Sequence, residues 1–150
     1  MNHWTDDDNL SVTIELDTEP EDLDLQAGLG AELLDIVERG QIRSAGRGTA
    51  PDGTPWDALA AATVRQKGHS TPGIVSGQMI SLLAAGDRDI GPRSATWLYP
   101  ADRGSRSFGK AHGFHNGRPE TGQPARPLIG ISTATAAALR QRIADEIRRG

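Results

Sequence analysis

The sequence predicts an α+β fold: a small, mostly antiparallel sheet with helices packed on one face and long loops between elements. Three observations carry this reading. Leu10-Ser11-Val12-Thr13-Ile14-Glu15-Leu16 alternates apolar and polar side chains with period two, the pattern of a half-buried strand. Near the other end, Ala136, Leu139, Ile143 and Ile147 recur at helical spacing. Finally, 18 Gly and 9 Pro among 150 residues, with only three Trp, one Tyr and two Phe, assign much of the chain to turns and loops around one modest core.

Taken in order, residues 1–9 form a flexible acidic leader containing Asp6-Asp7-Asp8, and residues 10–150 a single domain. Thr18-Glu19-Pro20-Glu21 has capping-box spacing and predicts a helix with Leu25, Leu29, Leu33, Ile36 and Val37 on one face, fading near Gly40–Arg43. Gly28 and Gly30 each cost that helix on the order of 1 kcal/mol relative to Ala, so close packing or a kink is expected there. Residues 44–53 then form a loop that carries Arg47 beyond Arg43.

The stretch Pro51-Asp52-Gly53-Thr54-Pro55-Trp56-Asp57-Ala58-Leu59 combines a tight turn with a helix start. Pro51 presets φ, and Asp52 and Gly53 supply side-chain capping and positive φ. Thr54 suits an N-cap, Pro55 the first helical position and Asp57 the third. That helix carries Trp56, Leu59, Ala60, Thr63 and Val64 inward and stops at Lys67-Gly68. Trp56, able to bury roughly 150–250 Å², reads as an anchor.

Beyond a Gly, Ser, Thr and Pro cluster at 68–73, Val75, Met79, Leu82 and Leu83 favour a short helix near Ser76, a strand being the alternative. Asp87–Ile90 and Ser94–Tyr99 read as a hairpin around Gly91-Pro92. Residues 100–125 lack any sustained period and predict a long loop with Arg103, Arg106, Lys110 and Arg118. Arg126-Pro127-Leu128-Ile129-Gly130-Ile131 is strand-like, with Pro127 at its edge. Ser132 or Thr133 then caps a last helix that runs to Arg149.

The net charge of -4 conceals an asymmetry, since residues 1–38 hold 12 acidic and no basic side chains, leaving 8 acidic against 16 basic thereafter. Such a chain suits an assembly in which an acidic face of one copy meets a basic face of the next. Nucleic acid is the other partner a basic remainder can meet, but the aromatic interleaving of single-strand binders is missing. The absence of cysteine excludes disulfides, thiolate metal sites and cysteine nucleophiles. No signal-peptide pattern and no apolar run of membrane-spanning length occurs, so a soluble protein made in the cytoplasm, with no membrane partner, is expected.

His112-Gly113-Phe114-His115 places two imidazoles three apart, as a metal site on a helix would. Gly113 and Asn116-Gly117 argue against a helix, and further ligands would have to come from His3, His69, Asp102 or Glu120. The expected role is structural: both histidines bond backbone in an irregular segment, one of them beside Phe114. Ser76 and Ser105 lack nucleophile-elbow context, glycines 46–53 lack the lysine of a phosphate loop, and Asp6-Asp7-Asp8 lacks the spacing of a calcium loop. Neither catalysis nor a cofactor is expected.

Five motifs then stand in order: Pro51–Trp56; Leu59 through Thr63 to Lys67; Ile74–Leu82 around Ser76-Gly77; Ala111-His112-Gly113-Phe114-His115-Asn116-Gly117; and Ala125-Arg126-Pro127-Leu128-Ile129-Gly130. In that order and spacing they resemble the phage virion morphogenesis family, the tail completion and Mu G-like proteins of tailed phages. The likeness spans about residues 30–148, with Ser76-Gly77 where the family often has Thr-Gly, and the strand at 10–17 lies outside it.

The resemblance implies a non-enzymatic structural subunit of the virion neck or tail end. It would form a homo-oligomeric ring, a hexamer following tail symmetry, that completes the tail and joins it to the head. Its neighbours would be neck, connector and tail tube proteins. Within such a ring Trp56, Pro51, Gly53, Arg126 and Pro127 are candidate structural anchors. Arg43, Arg47, Arg103, Arg106, Lys110 and Arg118 are candidate contacts to adjacent subunits or to DNA in the lumen. A head–tail connector whose 100–125 loop lines the DNA channel is the alternative, and a metal-dependent enzyme using His112 and His115 a remote third.

Overall fold

The computed structural model describes residues 2–7, 10–16, 23–56, 81–100, 105–118, 120, 122 and 124–149, with the backbone alone for 2–7 and Ser107. Its sheet has four antiparallel strands, β1 (Asn2–Asp7), β2 (Ser11–Leu16), β3 (Asp87–Ile90) and β4 (Ser94–Leu98), in the order β1-β2-β4-β3. Val12, Ile14 and Leu16 of β2 and Ala95 and Trp97 of β4 are buried, whereas Glu15 is exposed and Thr13, Ser94 and Thr96 are half-buried. Period-two alternation thus gives one apolar face, which the helices cover, and one polar face. Across the polar face the Thr13 and Thr96 hydroxyls, directly opposite in register, bond at 3.0 Å.

The N-terminal residues depart from the expected flexible leader. Asn2–Asp7 pairs along its whole length with Ser11–Leu16, so the backbone ladder orders a stretch whose side chains carry no apolar pattern. Leu10, immediately before β2, adopts φ 58°, in the left-handed region. Glycine or asparagine is usual there, but the Leu10 side chain is fully buried and its carbonyl accepts the Tyr99 N–H at 3.0 Å.

The first long helix, α1 (Leu29–Gly46), starts later and ends later than predicted. A 3-10 turn at Leu25–Ala27, capped by the Asp24 carboxylate accepting from the Gln26 amide at 2.8 Å, precedes it. Gly28 at φ 103° separates the two elements, which places the expected kink. The predicted capping box at 18–21 falls outside the described residues, except that the helix it was to open begins only at Leu29. Gly40, read as a fading end, is instead a close approach: a Cβ there would collide with the Thr135 hydroxyl.

Pro55 does not open a helix. It pairs with Thr49 in an isolated antiparallel bridge, and the Trp56 amide donates to the Gly48 carbonyl at 2.9 Å. The helices expected over 57–68 and 74–83 lie outside the described residues, apart from a 3-10 turn at Leu82–Ala85 that leads into β3. The β3–β4 hairpin forms as predicted, with the Gly91 amide bonded to the Ser94 carbonyl at 2.8 Å.

Two corrections concern the C-terminal third. Part of the expected 100–125 loop is α2 (Arg106–Asn116), opened by the Ser105 hydroxyl accepting from the Phe108 amide at 3.1 Å. Phe108, Ala111 and Phe114 are buried at spacing three on this helix, a signal that Gly109 and Gly113 obscured. Residues 126–131 form no strand. Their amides are satisfied by α1 and α2 rather than by a ladder: Arg126 donates to the Phe114 carbonyl at 2.8 Å and Gly130 to Gln41 Oε1 at 3.1 Å.

The last helix, α3 (Thr133–Arg149), begins as predicted, with the Ser132 hydroxyl accepting from the Thr135 amide at 2.9 Å. Ala136, Leu139 and Ile143 are buried, but Ile147 is 42% exposed because the final turn runs past the core. Arg142 of α3 is bonded to Glu32 of α1 and to Glu146 one turn on, and Glu32 holds a depressed pKa through the Arg142 guanidinium bond.

Candidate functional site

Three segments far apart in sequence meet around one aromatic pair. The first is the turn. Gly53 adopts φ 91° and donates to the Ala50 carbonyl at 2.9 Å, while Ala50 donates to the Thr54 carbonyl at 2.8 Å. The Asp52 carboxylate accepts the Thr54 amide at 2.9 Å, and the bonds from Thr54 hold its pKa below the usual carboxylate range. Pro51 is buried behind this turn. Asp52 thus supplies the side-chain capping expected of it in the turn, while the amides that Thr54 was expected to cap, from residue 57 onward, lie outside the described residues.

The turn delivers Trp56, which is 8% exposed. Its indole N–H donates to the Pro127 carbonyl at 2.8 Å, and its ring meets Phe114 edge-on, centroids 4.9 Å apart at 88°. The second segment is α2, which supplies Phe114 and His115. The third is 124–130, where the buried Arg126 guanidinium lies 5.8 Å from the Phe114 ring centroid. Trp56, Arg126 and Pro127, three of the candidate anchors, thus share one cluster, with Pro51 and Gly53 shaping the turn that feeds it.

His115 closes the arrangement. Its Nδ1 accepts the Leu128 amide at 2.9 Å and the Ile129 amide at 3.2 Å, which requires the imidazole proton to reside on Nε2. This is the backbone bonding anticipated for a histidine of this motif, although on a helix and with the ring as acceptor. His112 lies one turn back against Phe108, ring centroids 5.9 Å apart. Among the described residues no group of three or more His, Cys, Asp or Glu side chains is placed to hold a metal ion. His115 commits its Nδ1 lone pair to the fold.

The basic candidates separate into distinct places. Arg43 and Arg47 are exposed on the last turns of α1, and Arg106 and Lys110 are exposed one turn apart on α2. Arg118 is drawn back onto α2, donating to the Gly109 carbonyl at 2.8 Å and lying over Gly113, where a Cβ would come within 2.7 Å of its Cζ. Its role is internal packing, and only Gly113 admits it. Arg103 lies outside the described residues.

Two contributors escaped sequence reasoning. Gln41 is fully buried at the core register of α1, following Leu33 and Val37 at spacing four, and orients 128–130 through the Gly130 amide. A polar residue on the apolar stripe was the available signal. Glu38, beside it, accepts the Trp97 indole N–H at 2.9 Å and the Gly86 amide at 3.2 Å, tying α1 to the sheet. No family model, characterised protein or solved structure matches this chain.

Proposed function

We propose that this chain is a structural, non-enzymatic subunit of a tailed-phage virion, forming a ring at the neck or tail end that completes the tail and joins it to the head. One observation supports it most: three of the five family-like motifs converge on a single packed unit. The Pro51–Trp56 turn, the His112–His115 helix and the Arg126–Gly130 segment meet through the Trp56–Pro127, Trp56–Phe114 and His115–Leu128 contacts. The residues that carry the likeness are spent on holding one another.

The geometry lends the enzymatic alternative little support, because the His115 Nδ1 lone pair is taken by two backbone amides. A modest core, a sequence split into an acidic beginning and a basic remainder, and exposed cations on α1 and α2 suit a subunit completed by its neighbours. Antibody labelling of intact virions tests the assignment. Label at the head–tail junction or tail end is expected, and label confined to unassembled protein in the lysate would overturn it.

A further inference from the structure

Arg39, Arg43 and Arg47 recur at spacing four along the C-terminal half of α1 and are all exposed. The Arg47 cap keeps right-handed helical dihedrals, so the three continue one line over roughly 12 Å of helix. Leu33, Val37, Gln41 and Ala45 form the buried line of the same helix, two residues out of phase and hence about 200° around the axis. The arginines therefore point directly away from the core.

Nothing on the helix neutralises them. Glu32 is bonded to Arg142, Asp35 to Arg88 at 2.6 Å, and Glu38 to the Trp97 indole, so each α1 carboxylate is drawn to another element. Among the described residues the three arginine side chains have no ion-pair partner. Attraction to the helix C-terminus accounts for Arg43 and Arg47, but it decays within the last turn and does not reach Arg39.

We infer that the Arg39–Arg43–Arg47 stripe is the docking surface for the acidic N-terminal hairpin of a second copy of this chain. The complementary charge is in the same sequence: residues 1–38 contain no Lys or Arg, and of the run Asp6-Asp7-Asp8 the first two residues end β1. β1 is an edge strand of the sheet, which puts that end at the perimeter of the fold. A second copy is favoured over nucleic acid because the chain as a whole is anionic, at -4. Stripe and hairpin are different patches, so the contact is heterologous and propagates from copy to copy, closing into a ring when the rotation allows. The inference rests on the ring reading and names its contact.

Sedimentation velocity on the full chain and its charge reversals tests this. Arg39→Glu with Arg43→Glu should weaken self-association at least about tenfold while the circular dichroism melt stays unchanged. Asp7→Lys with Asp8→Lys, its melt likewise unchanged, should do the same, and mixing the two double variants should restore association. Reversed arginines that leave assembly intact overturn the inference while leaving the ring reading standing. Failure of the mixture to recover overturns the hairpin as occupant. Intact assembly with lost affinity for a duplex DNA probe overturns it in favour of nucleic acid. A wild-type chain that is monomeric throughout overturns both.

Discussion

The indole N–H of Trp56 donates to the Pro127 carbonyl at 2.8 Å across 71 residues of chain, and this bond joins the turn after α1 to the segment before α3. Trp56→Ala removes it together with the edge-on contact to Phe114. Loss of about 3–5 kcal/mol in urea unfolding is expected, as for other buried aromatics, and ring formation should fail with it. Trp56→Phe should recover most of the packing but not the bond. An unchanged melting temperature for Trp56→Ala would show that the ring is a surface contact.

His115 accepts two amides from buried residues, so His115→Ala leaves both without an acceptor. Each unsatisfied amide costs about 1–3 kcal/mol, less whatever water can replace. His115→Phe, which fills the space but accepts nothing, should destabilise similarly, and His112→Ala much less. Metal analysis of the purified protein separates this from a ligand role: a stoichiometric transition metal lost on mutating either histidine would overturn the structural view.

Leu10 combines an unfavourable backbone with a fully buried side chain. Glycine would relieve roughly 1–2 kcal/mol of left-handed strain. It would also empty a leucine site, at a cost of about 2–5 kcal/mol. Leu10→Gly should therefore be destabilising by about 1–3 kcal/mol in denaturant unfolding. A more stable variant would mean that backbone strain outweighs packing at the hairpin.

Tyr99 is the sole tyrosine, and burial raises its pKa to about 12. Because the folded value lies above the ordinary tyrosine value of 10.0, its contribution to stability is complete below that pH and is lost as pH climbs toward about 12. Tyrosinate absorbance should appear near pH 12 in the folded protein and near 10 in denaturant. Superimposable titrations would show that Tyr99 is solvated in the native state.

Legibility of the fold followed the strength of local pattern. The strand at Leu10–Leu16, the hairpin around Gly91-Pro92 and the helix after Ser132 were readable because alternation, turn chemistry and capping agreed at each. α2 was not, since Gly109 and Gly113 lower helix propensity while Ser105 capping and the Phe108–Phe114 spacing sustain the helix. The 126–131 segment misled for a different reason: its apolar run is real, but its amides are claimed by His115 and Gln41 from distant helices. β1 has no apolar signature at all and exists through its pairing with β2. At the site, the turn and Trp56 were legible locally. The convergence of Trp56, Phe114 and Pro127 is a tertiary fact that no local pattern encodes.

Ring formation is the central claim, and native mass spectrometry of the purified full chain tests it most directly. The account predicts a closed assembly of a single stoichiometry, six copies, that dissociates as ionic strength rises. A monomer at every accessible concentration and low salt would contradict it.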